Sequence, residues 1–390
     1  MAKWLEKTLG EVTAFIAKGI PPKYTEEENE NTIRVLNQKC NRNFEISYNE
    51  SRIHDCEKKK VPVDKMLRAG DVLINSTGTG TAGRVAQMVE VPVPTTIDGH
   101  MILIRPSEEL DPIYYGYAVK SFQSQIEGLA EGSTGQTEIN RRRLQDEVII
   151  RYPNDKLVQK NIGSFLANID EKIKTNKEIN KNLEQQAQAI YQQMFIDNAS
   201  SDWTEGTLSD IADITMGQSP SGSSYNEDGN GTIFFQGRAE FGFRFPTVRL
   251  YTTEPKRMAC ANDTLMSVRA PVGDLNVAHT DCCIGRGLAT IHSKNNHQSF
   301  VLYTMFSLKK QLDVFNGEGT VFGSINRNSL NEMPLLIPSS EKIDEFEALV
   351  APMDAAIRNN YDEICRLEQL RDSLLSKLMS GELDVSDIEI

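Results

Sequence analysis

The stretch DKLVQKNIGSFLANIDEKIKTNKEINKNLEQQAQAIYQQMFIDN, residues 155–198, decides the fold. Steps of four and three residues taken alternately along it land on Ile162, Leu166, Ile169, Ile173, Asn176, Asn180, Leu183, Ala187, Ile190 and Met194, of which eight of ten are apolar. Unbroken spacing of this kind places the side chains on one stripe of a helix that pairs with another helix. The same steps taken from Phe346 give Val350, Met353, Ile357, Asn360, Ile364, Leu367, Arg371, Leu374 and Leu378, so the partner is found in the same chain. The two runs begin at Ile162 and Phe346, and Asn360 stands at the step that Asn176 occupies. A duplicated chain with one long helix per copy is predicted.

The sequence ahead of each run repeats as well. WLEKTLGEV at 4–12 returns as WTEGTLSDI at 203–211, and AGDVLINS at 69–76 returns as ANDTLMSV at 261–268. TTIDGHMILI at 95–104 matches CCIGRGLATI at 282–291, and EINRRRL at 138–144 matches SINRNSL at 324–330. The offset falls in order from 199 through 192, 187 and 186 to 184 at the helices, as short loop deletions between two related units would make it fall. Within each unit, β-rich runs at 61–63, 71–75, 102–105, 233–236, 265–268 and 335–337 alternate with Gly, Pro, Asn and Ser. Short helices are expected at 114–127 and 299–315. Pro153 and Pro338 stand just ahead of the helical patterns. The fold class is therefore α+β, with domains at 1–153 and 199–338, a long helix at 154–198 and a second at 339–390 with an acidic tail.

A chain of 390 residues exceeds one comfortable core, which agrees with two domains. No apolar run is long enough to span a bilayer, and the N-terminus lacks a signal-peptide apolar segment, so a cytoplasmic protein is expected. The six cysteines form no C-x-x-C pair, and free thiols without a metal site are expected. The net charge of −13 is unevenly spread: −2 over 1–153, 0 over 154–198, −3 over 199–338 and −8 over 339–390. The two β-rich segments are close to neutral, so net charge neither supports nor excludes a nucleic-acid partner.

About 40 residues at roughly 1.5 Å each make a rod of about 60 Å. Since the first helix leads from one domain into the other, a pair formed with the second must be antiparallel, with the domains at opposite ends. Asn176 and Asn360 are expected to meet near the middle, where a polar pair would fix the register. The alternative is that Asn176 and Asn180 face solvent.

Two variable domains, each followed by a homologous long helix, resemble the specificity subunit of type I restriction-modification systems, and the resemblance covers essentially the whole chain. It rests on the W-x-x-x-x-L openings, the loop MGQSPSGSSYN at 216–226, the EIN and SIN closing segments, and the helix ends LEQQAQAIYQQMF at 183–195 and LEQLRDSLLSKLMSGELDV at 367–385. The resemblance implies two target-recognition domains, each reading one half of a bipartite site in double-stranded DNA. It implies an antiparallel coiled coil with an internal pseudo-twofold repeat that spaces the half-sites and docks two methyltransferase subunits, which restriction subunits can join. It further implies no cofactor on this chain: S-adenosylmethionine, ATP and magnesium would belong to the partners.

Candidate contacts follow from side-chain chemistry. The loop carrying Gln218, Ser219, Ser221 and Tyr225 begins where KGIPPKY, with Lys23, begins in the first copy, and the resemblance sets this loop against DNA. Hydroxyls, amides and an ammonium suit phosphate or base edges. Arg84, Arg238, Arg269, Arg286 and Arg327 stand beside Gly or in polar loops, where a guanidinium matches guanine with two hydrogen bonds. The run Arg141, Arg142 and Arg143 is the preferred phosphate contact, as three adjacent cations. Gln136, Gln236 and His100 are lesser candidates. For each, the competing reading is an ordinary solvated side chain.

GTGTAGR at 78–84 lacks the Gly-Lys-Ser/Thr ending of a phosphate loop and is expected to be a hairpin with Arg84 near its tip. The only Pro-Pro pair lies in IPPK at 20–23, which is not an amino-methyltransferase motif, and no glycine fingerprint for S-adenosylmethionine appears. Recognition without chemistry is expected. Two alternatives stay open: a DNA-modifying enzyme with an unrecognised active site, and a two-headed protein-interaction scaffold.

Overall fold

The computed structural model describes residues 3–132, 137–317 and 323–383. It divides into two compact units, residues 1–175 with 363–390, and residues 176–362. Each unit joins a β-rich domain to a segment of both long helices, which run Lys156–Tyr191 and Ser340–Ser380. The first of these passes into a single π turn, Gln192–Asp197.

The apolar stripes pair as their spacing requires. In the first unit Ile169 and Ile173 bury against Ile364, with Phe165 and Leu367 beside them. Asp170 meets Arg371 at 2.6 Å and Lys172 meets Glu363 at 3.6 Å, so numbers rise on one helix as they fall on the other. The pairing is antiparallel. The second unit has the same sense, with Asn180 donating to the Ile357 carbonyl at 3.2 Å and Tyr191 edge-on to Phe346 at 5.7 Å. Asn360 donates to Asn180 Oδ1 at 2.8 Å, so the polar contact of the seam includes the residue a turn beyond Asn176. Helical side chains lean toward their own N-terminus, and in an antiparallel pair that lean carries Asn360 toward higher numbers on its partner. Asn176 and Asn180 are both buried rather than solvent-facing.

The duplication is explicit in the sheets. Strands Thr13–Lys18, Met101–Pro106, Val72–Asn75 and Val85–Gln87 lie side by side in that order, all antiparallel. Ala212–Met216, Leu288–Ser293, Thr264–Ser267 and Leu275–Val277 repeat the arrangement. A second sheet in each unit holds one parallel pair, Thr95–Ile97 with Thr32–Leu36 and Cys282–Ile284 with Thr232–Phe235. The opening strand of each copy pairs with the strand that feeds its long helix, Trp4–Thr8 with Ile149–Pro153 and Thr204–Thr207 with Pro334–Ile337. Even the turn before the central strand is repeated in geometry: Gly70 (φ 89°) and Asn262 (φ 74°) both take the left-handed conformation that these two residue types tolerate best. The aspartate that follows is buried in both, Asp71 bound to Arg105 at 2.7 Å and Asp263 to His292 at 2.5 Å.

Two local expectations are corrected. Residues 61–63 form no strand; Pro62, without an N–H to donate, leads into a 3-10 turn, Val63–Lys65. The expected short helices are each broken, into Pro112–Ser121 and Gln123–Gly128, and into Gln298–Ser307, Lys309–Asp313 and a 3-10 turn, Val314–Asn316.

Each short helix is fastened to its long helix by the same device. Tyr117 donates its hydroxyl to Asp170 at 2.6 Å, and Tyr303 donates to Asp354 at 2.9 Å. An arginine then neutralises each acid, Arg371 in the first unit and Arg244 in the second. The helix N-termini are met differently. Glu347 accepts from the backbone N–H groups of Ser299 and Phe300 at 3.1 and 3.0 Å, whereas Asp111 caps the helix of the first unit from within. The alignment that sets Ile162 against Phe346 sets Gly163 against Glu347, and a Cβ on Gly163 would lie 2.8 Å from the Tyr114 nitrogen.

Beside Tyr117 the Lys120 ammonium lies 4.3 Å from the Phe44 ring centre, with no hydrogen-bond partner among the described residues. Burial lowers its pKa from 10.5 to about 8, with Asp170, Asp372 and Glu45 opposing the shift and Arg371 adding to it. A lysine whose folded pKa lies below its unfolded value destabilises the fold at low pH, and stability rises as pH climbs from about 8 toward 10.5. Lys120→Met is therefore expected to raise the denaturant midpoint at pH 7, by on the order of 3 kcal/mol at most. The advantage over wild type should shrink when unfolding is repeated at pH 10; an advantage independent of pH would contradict this origin.

Candidate nucleic-acid interface

In the second unit, the loops carrying most of the candidate contacts are laced together by backbone hydrogen bonds. The Gly217 N–H donates to the Leu288 carbonyl at 2.9 Å and the Gln218 N–H to that of Ile284 at 3.0 Å. The Gly285 and Gly287 N–H groups donate to Phe235 and Gln236 at 2.8 and 3.2 Å, and Val268 donates to Gly287 at 2.9 Å. Ser219 Oγ accepts from the Arg286 N–H at 3.2 Å. Gln218, Gln236, Arg269 and Arg286 thus rise from four neighbouring loops, and all four are exposed. Arg269 also pairs through its backbone with Ser324, which brings in the SIN segment that leads to Arg327.

Glycine makes this crossing possible. A Cβ on Gly217 would lie 2.2 Å from the Gly285 carbonyl oxygen, and one on Gly285 would lie 2.9 Å from the Gln236 Cα. Two backbones therefore touch where side chains would normally separate them. The first unit repeats the crossing at Gly19, where a Cβ would lie 2.0 Å from the Asp98 oxygen, and Gly19 and Ile20 donate to Met101 and Ile97.

Not every candidate remains available. Arg143 holds Glu131 at 2.7 Å and Glu147 at 2.6 Å, so the 141–143 run contributes two unpaired cations among the described residues instead of three. Arg84 is at the base of its hairpin and not at the tip: its carbonyl accepts from Asn75, and its side chain folds back to the Gly80 carbonyl at 3.0 Å. The Arg238 guanidinium is paired with Asp274. Tyr225 is half-buried, its ring 4.8 Å from that of Phe234 and its hydroxyl on the Pro220 carbonyl. The Ser221 hydroxyl is bonded to that of Ser223 at 2.8 Å. Gln136 lies outside the described residues. Lys23 and Arg327 are exposed, with no ion pair among the described residues.

Sequence reasoning passed over other basic groups at the same edges. In the first unit Lys65 and Lys59 reach the Gly19 and Pro21 carbonyls at 3.3 and 3.2 Å, and Arg52 stacks 3.5 Å from the Tyr24 ring centre. His100 is bonded to Thr77 Oγ1 at 2.8 Å, and Lys18 is paired with Glu138. Burial pushes the Asp98 carboxyl above its ordinary range, while the His100 N–H, His100 and Arg52 pull it back. In the second unit Arg257 accepts from the Ile284 N–H through its carbonyl, which sets the exposed Lys256 and Arg257 beside Arg286. The only sequence signals were the basic clusters EKKK at 57–60 and PKR at 255–257. Among the described residues no group of three His, Cys, Asp or Glu is placed to hold a metal, and no helix is long and apolar enough to cross a membrane.

Comparison with known proteins agrees with this duplicated arrangement. The family model described as type I restriction modification DNA specificity domain matches twice, over residues 1–185 and 200–355. Two proteins of Methanocaldococcus jannaschii are similar along most of their length. One, named for the MjaX specificity subunit of a type I restriction enzyme, is 29% identical over 377 residues, covering 87% of this chain and 88% of the relative. The other, the type I restriction enzyme MjaIX specificity subunit, is 24% identical over 378 residues, covering 88% and 83%. The crystal structure of a type I restriction-modification S subunit from M. genitalium shares the fold, with a TM-score of 0.62 at 18% identity over 97% of this chain and 96% of that one.

Because the crossing at Gly217 tolerates no Cβ, Gly217→Ala is expected to destabilise the second unit by about 1–3 kcal/mol. Gly222, farther along the same loop in SPSGSS, has open space around its Cα, and Gly222→Ala should stay within about 0.5 kcal/mol of wild type. Chemical denaturation of the two variants separates a crowded glycine from a merely local one.

Proposed function

The chain belongs to the type I restriction-modification DNA specificity family, and from that premise we propose that it reads a bipartite DNA site, one half with each β-rich domain. It is a specificity subunit of a type I restriction-modification system. The observation that carries the two-part reading is the repeated glycine crossing: one frame occurs twice, and each copy presents different exposed polar residues at the same edge. In the second domain Arg286, Arg269, Gln218 and Gln236 offer the donors that suit guanine and adenine edges. In the first domain Lys23, Arg141 and Arg142 offer charge suited to phosphate. Unlike side chains on like frames would read unlike half-sites, and their contributions to specificity would add.

The paired long helices serve as spacer and as the surface on which two methyltransferase subunits dock, and restriction subunits join that core. S-adenosylmethionine, ATP and magnesium are held by those partners. This chain recognises and assembles in the cytoplasm without breaking or forming bonds itself.

Reconstitution with the methyltransferase subunit tests the proposal. Methylation should map to one bipartite motif, and exchange of residues 1–153 for those of a relative should alter one half of the motif alone. Methylation without a bipartite motif, or activity of the isolated chain, would overturn it. Within the complex, Arg286→Ala is expected to cost about 1–3 kcal/mol and to relax one base position. Lys23→Ala should weaken all sites alike and lower the slope of log affinity against log salt by about 1.

A further inference from the structure

The acid on the second long helix is satisfied in an unusual way. Asp354 and Asp170 are equivalent positions of the two copies, and each accepts from a tyrosine of the short helix beneath it. In the first unit the neutralising cation, Arg371, comes from the paired long helix. The equivalent of Arg371 in the other copy is Ala187, fully buried and without charge. Its place as cation is taken by Arg244, which enters from the β-rich domain. Arg244 lies 3.1 Å from Asp354 on one helix, 3.1 Å from Glu184 on the other, and 3.1 Å from the Tyr303 hydroxyl. Its side chain is 4% exposed, so it cannot itself contact a ligand.

Arg244 belongs to the excursion between strand Thr232–Phe235 and strand Leu250–Thr252. That excursion starts at the glycine crossing with Gln236 and Arg238, and its Arg238 side is held to Asp274. Farther along, Gly242 accepts from Asn276 at 3.0 Å, and Phe245 packs 4.8 Å from Tyr361 of the second long helix. One short segment therefore touches the candidate DNA edge at its beginning and both helices at its middle.

We propose that Arg244 is a positioning residue: it holds the 236–249 segment, and with it Gln236, at a fixed place on the paired helices. The guanidinium fork makes this a directional joint, because one planar group answers two carboxylates and a phenol at once. A lysine supplies charge without that geometry. The inference rests on the proposed reading of a bipartite site, since the quantity Arg244 fixes is where the second half-site contacts stand relative to the spacer.

The test uses the reconstituted complex and a library of duplexes with the second half-site randomised and the spacer varied by about one base pair. Arg244→Lys, Arg244→Met and Asp354→Asn are expected to lose at least about tenfold in discrimination at the second half-site and in spacer preference, with the first half-site unchanged. Backbone amides across 236–249 should exchange hydrogen faster in all three. Leu330→Ala, a fully buried core truncation in the same unit, serves as the control for plain destabilisation. At matched loss of thermal midpoint it should keep the wild-type preference. Wild-type discrimination in the Arg244 variants, or equal relaxation in the Leu330 control, would overturn the assignment. Should the wild-type complex itself show no bipartite preference, the functional reading falls first and takes this inference with it.

Discussion

A carboxylate on each long helix, Asp170 and Asp354, is the constraint from which the architecture of each unit follows. An acid half-buried at a packed helix face loses much of its water and is secured there by a hydrogen bond and a cation. Both acids obtain the same first partner, a tyrosine hydroxyl from the short helix, and so fix which face of that helix meets the rod. The remaining partner differs. In the first unit the pair closes between the two long helices, whereas in the second it reaches into the β-rich domain through Arg244. In the second unit the arginine itself is buried, so loss of its carboxylate would leave an uncompensated charge inside the domain, and neither tyrosine nor arginine is a free choice once the acid is present.

The fold was legible where a regular period or a repeat carried it. Ile162 to Met194 and Phe346 to Leu378 mark two helices because packing on a helix demands a fixed step, and the falling offsets mark a duplication because loops shorten while cores do not. The AGD and AND motifs proved to be the same left-handed turn. The bond from Asn360 to Asn180 was not legible, since the tilt of side chains shifts antiparallel contacts along the partner helix. Nor was Arg244: the residue it neutralises lies 110 positions away, and nothing local distinguishes this arginine from Arg249, which is largely exposed.

The candidate interface was legible as chemistry and not as geometry. Arginine next to glycine at 285–287 suggested an exposed cation, and the structure explains the glycines by the backbone crossing at 217 and 285, which leaves no room for a Cβ. Counting adjacent cations was a poorer guide. Arg143 is engaged by Glu131 and Glu147, whereas Lys59 and Lys65, which no sequence motif singled out, reach the crossing of the first unit. Which cations are free depends on where the carboxylates fold to, and that is a property of tertiary contacts.

The same reasoning accounts for the charge imbalance between the two long helices. The segment 339–390 carries −8 of the chain's −13, half of it on the helix Ser340–Ser380 and half in the tail, which on a solvated rod would suggest an acidic outer surface. Four of the nine acids on the helix are turned to local work instead. Within the second unit Asp344 binds His297 at 2.8 Å, Glu347 caps a helix N-terminus, Asp354 binds Arg244 and Asp362 binds His279 at 2.7 Å. The first helix has less need of such groups, because Asp111 caps the corresponding short helix from within, and Gly163, at the position of Glu347, lets the two backbones come into close contact. Net charge by segment therefore reports how each copy secures its β-rich domain to the helices, and it says little about the sign of the surface a partner would meet.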